Sequence, residues 1–135
     1  MIKLIIGNKG AGKTKRLVEM VNSAVETSLG NVVCVEKGST LRLSVSNKVR
    51  LIDTDDFGIS GYGEYFGLLA GIRASNYDVT HIFGDATLQI GPRDYEAFAD
   101  FIERLKAIDG VEFVFTVSCD ESELPARVFD SAEKL

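Results

Sequence analysis

The sequence has few of the residues that build disulfide frameworks, zinc sites or membrane spans. Its 135 residues include two cysteines and one histidine, too few for the usual four-ligand zinc site. No apolar run approaches the roughly 20 residues that cross a bilayer. The apolar run that follows Met1 ends at Ile6 and is too short for the core of a signal peptide. We therefore expect no membrane segment, a cytoplasmic location, and reduced cysteines at Cys34 and Cys119 that behave as small buried apolar residues.

Positive charge is also scarce over most of the chain. Lys and Arg number 15 against 20 Asp and Glu, which gives a net charge of -5. Nonspecific nucleic-acid binding depends on lysines and arginines that neutralise phosphates, so this balance argues against a nucleic-acid partner. Near the amino terminus, however, four cations surround a glycine-rich segment, where a polyphosphate would need them. They are Lys9, Lys13, Lys15 and Arg16.

Apolar strand-like runs alternate with helical patterns along the chain. Strands are predicted at residues 2–6, 31–36, 79–84 and 111–117, and helices at about residues 12–29, 62–75 and 92–109. Alternation over residues 40–45 and 49–52 predicts a hairpin at the sheet edge, and residues 124–129 predict a short helix. Strands separated by helices indicate a three-layer α/β fold with a mainly parallel sheet of about five strands. No repeat or linker divides the chain, so residues 1–135 are predicted to form a single domain.

The glycine-rich segment matches the phosphate-binding pattern G-x-x-x-x-G-K-[ST], the Walker A motif, at every fixed position. It lies between a predicted strand and a predicted helix, where glycines let successive amide N–H groups surround an anion and the helix N-terminus adds more donors. Lys13 is predicted to reach the β- and γ-phosphates as the catalytic residue, and the Thr14 hydroxyl to coordinate Mg²⁺. The predicted nucleotide-binding residues are Gly7, Asn8, Lys9, Gly10, Ala11, Gly12, Lys13 and Thr14.

On this motif the chain resembles the P-loop NTPase superfamily, strongly over residues 1–35 and by element order beyond them. Short stand-alone ATP-binding P-loop proteins of bacteria are similar in size and layout. The resemblance implies a bound nucleoside triphosphate, ATP or GTP, with Mg²⁺ whose water shell is held by an aspartate after an apolar strand. Asp85 follows such a strand and is the predicted magnesium residue beside Thr14. The alternative is Asp53, whose preceding strand is amphipathic and is therefore expected at the sheet edge.

The sequence departs from the superfamily pattern at the residue after Asp85. In many of these ATPases a glutamate there polarises the attacking water, and this chain has Ala86, so fast hydrolysis is not expected. Other residues are candidates to act on water or on the γ-phosphate, although a surface or structural role is the default for each. Glu36, Asp53 and Glu64 are candidate bases, and Thr87 and Gln89 are candidates to orient water. Thr116 and Ser118 are candidate γ-phosphate contacts, and Arg93 and Arg127 are candidate arginine fingers.

Three functions remain open at this stage. The first is a magnesium-dependent NTPase with weak or partner-dependent turnover, in which a second copy or another protein assists. The second is a small-molecule or nucleotide kinase whose acceptor enters near residues 53–63, although the chain lacks an arginine-rich lid. The third is a noncatalytic adaptor controlled by nucleotide. Within the same loop, the glycines of residues 58–63 suit either a flap against the base or a plain flexible connection.

Overall fold

The computed structural model describes residues 1–135 and contains one six-stranded, all-parallel sheet. The strand order is β3-β2-β4-β5-β1-β6. The inner strands are rich in Val, Ile and Phe and are buried almost throughout, as expected for a parallel sheet that is covered on both faces. The strands are β1 (Ile2–Ile6), β2 (Asn31–Glu36), β3 (Arg50–Asp53), β4 (Val79–Gly84), β5 (Glu112–Val117) and β6 (Glu133–Lys134).

Helices cover both faces of the sheet and produce three layers. They are α1 (Lys13–Thr27), α2 (Tyr62–Ser75), α3 (Thr87–Ile90), α4 (Tyr95–Arg104) and α5 (Val128–Ser131). On one face, Leu17 and Val21 of α1 pack against the sheet. On the other face, Tyr65 of α2 and Phe98 of α4 belong to a larger apolar cluster. The predicted three-layer α/β fold is thus confirmed. None of the helices has the length and apolar character that crossing a membrane requires.

The predicted edge hairpin is wrong. Residues 37–49 form bends and turns, and β3 pairs in parallel with β2. The cause lies at the end of β2, where the Glu36 carboxylate accepts hydrogen bonds from the backbone N–H groups of Thr40 and Leu41 and so turns the chain away from the sheet. The apolar residues of the supposed hairpin, such as Leu41 and Val49, are buried in the core on the α1 side instead.

Two further differences concern short elements. The third predicted helix begins at Tyr95 rather than near Pro92, because the Asp94 carboxylate accepts hydrogen bonds from the N–H groups of Glu96 and Ala97 and caps the helix. The sequence did not predict α3 or β6. The two residues of β6 pair with β1 and bring the strand count to six.

Candidate functional site

The glycine-rich segment connects β1 to α1 at the carboxyl edge of the sheet. Because every strand is parallel, the ends of β2, β4 and β5 meet at this same edge. A cavity of about 500 Å³ opens there. Its wall consists of the glycine-rich loop, the residues that follow β2 and β4, and the end of β5. The sheet order therefore brings segments that are distant in the sequence to one site.

The loop between β1 and α1 depends on two glycines with left-handed backbone conformation. Gly10 has φ 88° and Gly12 has φ 80°, values that strain other residues. Gly7 serves close packing, because a Cβ there would come within 2.9 Å of another side chain of the loop. Lys13 as a whole is buried, and its ammonium donates a partly buried hydrogen bond to the Asn8 carbonyl oxygen at 3.0 Å. The lysine thus lies folded inside the loop.

Thr14 and Asp85, the two predicted magnesium residues, lie side by side in the cavity wall. The Thr14 Oγ1 lies 3.3 Å and 3.2 Å from the two carboxylate oxygens of Asp85. Buried Thr116 on β5 donates its hydroxyl to Asp85 Oδ1 at 2.6 Å and accepts the Ala86 N–H at 2.7 Å. Two hydroxyl groups therefore orient the Asp85 carboxylate. The Thr116 hydroxyl donates its proton to Asp85 and is therefore not free to donate to a phosphate.

The oxygens of Thr14 and Asp85 suit a magnesium ion. Mg²⁺ binds hard oxygen ligands, and it usually takes one or two protein groups and completes its octahedron with phosphate oxygens and water. The chain has no group of three or more His, Cys, Asp or Glu side chains that could hold a metal ion by itself. The donor set therefore fits a magnesium ion that binds together with a polyphosphate rather than one held entirely by protein.

Glu36 is the second carboxylate of the cavity wall and is almost completely buried. It ends β2 beside the end of β4, since Val35 pairs with Gly84. Its Oε1 accepts the N–H and the hydroxyl of Thr40 at 3.1 and 2.8 Å, and its Oε2 accepts the Leu41 N–H at 3.1 Å. An ionised carboxylate has about four acceptor positions. One position on Oε2 thus has no hydrogen-bond partner within the protein.

Comparison with solved structures concerns the fold alone. No protein-family model matches the chain, and no curated protein resembles it in sequence. The flagellar accessory protein FlaH from Methanocaldococcus jannaschii is similar over 96% of this chain and 65% of its own, with TM-score 0.59 and 15% identity. PCH-2 of C. elegans is similar over 98% of this chain and 34% of its own, with TM-score 0.53 and 15% identity. The chain thus shares the three-layer α/β fold of these two structures. The chain spans less than two thirds of either structure.

Two other candidate carboxylates lie away from the glycine-rich loop between β1 and α1. Asp53, the alternative magnesium residue, accepts hydrogen bonds from the N–H groups of Gly38 and Asp55. Glu64 accepts the N–H of Ser60 at the start of α2. Neither Asp53 nor Glu64 lines the cavity. Of the three candidate bases, the structure brings only Glu36 to the cavity beside the glycine-rich loop between β1 and α1.

The two candidate arginine fingers differ in position. Arg93 lines the cavity, and its guanidinium donates a hydrogen bond to the Tyr95 hydroxyl at 3.1 Å. Arg127 lies outside the cavity and forms ion pairs with three carboxylates. Those carboxylates belong to Glu96, Asp100 and Glu103. Arg93 is therefore the arginine that can reach a phosphate group, whereas Arg127 connects α4 to the start of α5.

Residues 58–63, the candidate flap, do not line the cavity. The Gly61 N–H donates to the Ile90 carbonyl at 2.9 Å, and the Tyr62 hydroxyl donates to the Pro92 carbonyl at 2.7 Å. The loop thus packs against the segment that follows β4. Among the lesser candidates, Gln89 and Ser118 line the cavity, whereas Thr87 is buried outside it.

Sequence reasoning did not single out two residues of the cavity wall, Lys37 and Thr40. Lys37 directly follows the buried strand β2, and this position was the one sign that pointed to the site. Thr40 is the first residue of the predicted hairpin. Cys34, also on β2, is inert: burial, followed by the charges of Asp85 and Glu36, raises its pKa to about 12. Its thiol is therefore neutral, which agrees with the prediction of a small buried apolar residue.

Proposed function

We propose that residues 1–135 act as one cytoplasmic domain that binds a magnesium nucleoside triphosphate, ATP or GTP, and hydrolyses it slowly or with the help of a partner. The observation that carries the proposal is the meeting of three groups in one cavity: the phosphate loop with Lys13, the Thr14 hydroxyl, and the Asp85 carboxylate. Sequence motif and geometry agree on these groups. The fold by itself would not support the proposal, since one fold serves many functions.

Each group has a distinct role in this proposal. Backbone N–H groups of the loop bind the phosphate oxygens, together with the start of α1. Lys13 exchanges its bond with the Asn8 carbonyl for the β- and γ-phosphate oxygens and stabilises the charge that develops when the anhydride bond breaks. Magnesium, when bound, neutralises charge on the same oxygens. Thr14 and Asp85 would hold it, directly or through its water.

Slow turnover follows from the groups available to the attacking water. Ala86 offers no acceptor for a proton of that water, and Thr116 is engaged with Asp85. Glu36 lines the cavity, one acceptor position of its carboxylate has no partner, and three hydrogen bonds hold that carboxylate in place. We assign it the role of orienting water through Oε2. A partner, either a second copy of the chain or another protein, would raise turnover by supplying a further polar group.

Ligand-induced thermal stabilisation tests the binding. A ligand at a hundredfold excess over its dissociation constant stabilises the fold by about 2.7 kcal/mol. With about 2.1 cal/mol/K of unfolding entropy per residue, this raises the midpoint by about 9 °C for 135 residues. Lys13→Ala should abolish the shift with Mg-ATP and Mg-GTP, and Lys48→Ala, an exposed lysine outside the cavity, should preserve it. No shift with either nucleotide would contradict the proposal.

Phosphate release then separates the remaining functions. Release without any acceptor supports the NTPase, and Glu36→Gln should lower kcat by about tenfold or more while the nucleotide Kd changes little. Release or transfer only in the presence of a metabolite would indicate a kinase, although residues 53–63, its predicted acceptor loop, do not line the cavity. Binding without turnover under all conditions would indicate an adaptor. The position after Asp85 supports that reading, because the chain has Ala86 there and not a glutamate.

A further inference from the structure

We infer that the site recognises the magnesium polyphosphate part of its ligand and not the nucleoside. This inference rests on the proposed function and specifies which part of the ligand determines affinity. The ligand class is then magnesium polyphosphates in general, with inorganic tripolyphosphate as a member beside the nucleoside triphosphates.

The cavity wall offers almost no apolar surface to a base. Of its 15 residues one is hydrophobic, Ala86, and none is aromatic. Small-molecule sites usually hold an aromatic group with apolar or aromatic side chains and read its edge with a few polar groups. The large apolar side chains that the protein does expose are all absent from this wall. They are Met1, Leu29, Leu43, Phe57 and Tyr77.

The same wall concentrates positive charge. It carries five cationic side chains against the carboxylates of Glu36 and Asp85, although the chain as a whole has a net charge of -5. Such an arrangement attracts the polyphosphate of a ligand into the cavity and offers no comparable attraction to an uncharged base. The charge of the ligand, and not the identity of its base, then determines binding. The five cations are Lys9, Lys13, Lys15, Lys37 and Arg93.

Lys37 and Arg93 extend this charge beyond the phosphate loop. Lys37 follows β2 and pairs with Asp55 at 2.7 Å, where both side chains are about half exposed. An exposed pair of this kind is weak, so phosphate oxygens can replace the Asp55 carboxylate. Arg93 follows α3 and donates one hydrogen bond to Tyr95, which leaves most of its five N–H donors free. Both cations therefore have donors available for phosphate oxygens.

Calorimetric titration of the full chain with four ligands tests the inference: Mg-ATP, Mg-GTP, Mg-CTP and magnesium tripolyphosphate, all at one salt concentration. We expect the four Kd values to lie within about tenfold of one another. A preference above about tenfold for one nucleotide over another, or for the nucleotides over tripolyphosphate, would overturn the inference and leave the proposed function standing. If no ligand binds, the proposed function itself fails.

Charge-removing variants test which part of the ligand the cations contact. Arg93→Gln and Lys37→Gln should weaken Mg-ATP and tripolyphosphate by the same factor, about three- to tenfold each. Lys48→Gln is the matched control and should change neither Kd. Loss of affinity for Mg-ATP alone would show that these cations read the nucleoside and would refute the inference. Unchanged affinity for both ligands would refute their assignment to the polyphosphate.

Discussion

Thr116 connects the ends of β4 and β5 behind the cavity, and replacing it with valine tests how Asp85 is held. Valine has nearly the same shape as threonine but lacks the hydroxyl. That hydroxyl donates to Asp85 Oδ1 at 2.6 Å and accepts the Ala86 N–H at 2.7 Å. Thr116→Val therefore removes two hydrogen bonds while it preserves the volume of a side chain that is almost completely buried.

The expected loss of stability follows from these two bonds. A hydrogen bond to a charged group contributes about 1.5–3 kcal/mol, and the partly buried Ala86 N–H loses its acceptor at a cost near the lower end of about 1–3 kcal/mol. Because Asp85 keeps the hydroxyl of Thr14 as a second donor, we take the lower value of each range and expect a loss of about 2.5 kcal/mol. For 135 residues this lowers the unfolding midpoint by about 9 °C.

Thermal unfolding followed by circular dichroism measures the effect, with Thr116→Ser as the matched variant. Serine keeps the hydroxyl and removes one methyl group, so it should lose only about 1 kcal/mol, or about 4 °C. A second readout is the affinity for ATP with and without magnesium. Thr116→Val should raise the Kd of Mg-ATP more than the Kd of ATP measured with a chelator, because Asp85 loses its orientation. Equal losses of stability in the two variants would refute the reasoning, since the methyl and not the hydroxyl would then carry the effect.

Two further substitutions probe the packing and the pH dependence. Gly84→Ala should destabilise the fold by about 3 kcal/mol in a urea titration, because a Cβ there would overlap the Tyr65 hydroxyl. Gly67 lies on the exposed side of α2 with open space around it, so Gly67→Ala should stabilise the fold by about 0.5–1 kcal/mol in the same titration. The Lys3 ammonium lies 2.6 Å from Glu112, and its hydrogen bond lowers the pKa of that carboxyl below its usual value. The pair therefore stabilises the fold at neutral pH, and its contribution is lost as the pH falls through the lowered pKa. Glu112→Gln should cost about 0.5–1 kcal/mol at pH 7 and progressively less as the pH is lowered in urea titrations; a cost that does not change with pH would contradict this assignment.

The phosphate loop and Asp85 could be predicted because each is a local pattern. The loop is a continuous motif, and Asp85 directly follows an apolar run. Glu36 and Thr116 were named only among several candidates, since their positions depend on the order of strands in the sheet. The sequence does not specify that β5 lies between β4 and β1, and this order decides that Thr116 contacts Asp85.

The incorrect prediction of an edge hairpin has a different cause. Residues 40–45 alternate between apolar and polar side chains, which is typical of a strand at the sheet edge. The alternation has another cause here, since Leu41 is buried against the α1 side while its neighbours turn at the surface. A buried carboxylate that accepts backbone N–H groups, as Glu36 does, overrides the local preference for a strand. Such contacts appear only when the segment is seen in its tertiary surroundings.

The hydrogen bond between Lys13 and the Asn8 carbonyl affects how fast a ligand binds as well as how tightly. A free lysine side chain loses roughly 2 kcal/mol of rotamer entropy when it is ordered, and here the folded loop has already restricted it. Formation of the proposed complex then requires the Lys13 ammonium to exchange one hydrogen bond but costs little further side-chain entropy, so electrostatic attraction should dominate the association rate constant. That rate constant should fall steeply with ionic strength, while the dissociation rate constant changes less. The ordered Lys13 side chain should therefore make the rate of binding at this loop depend on salt.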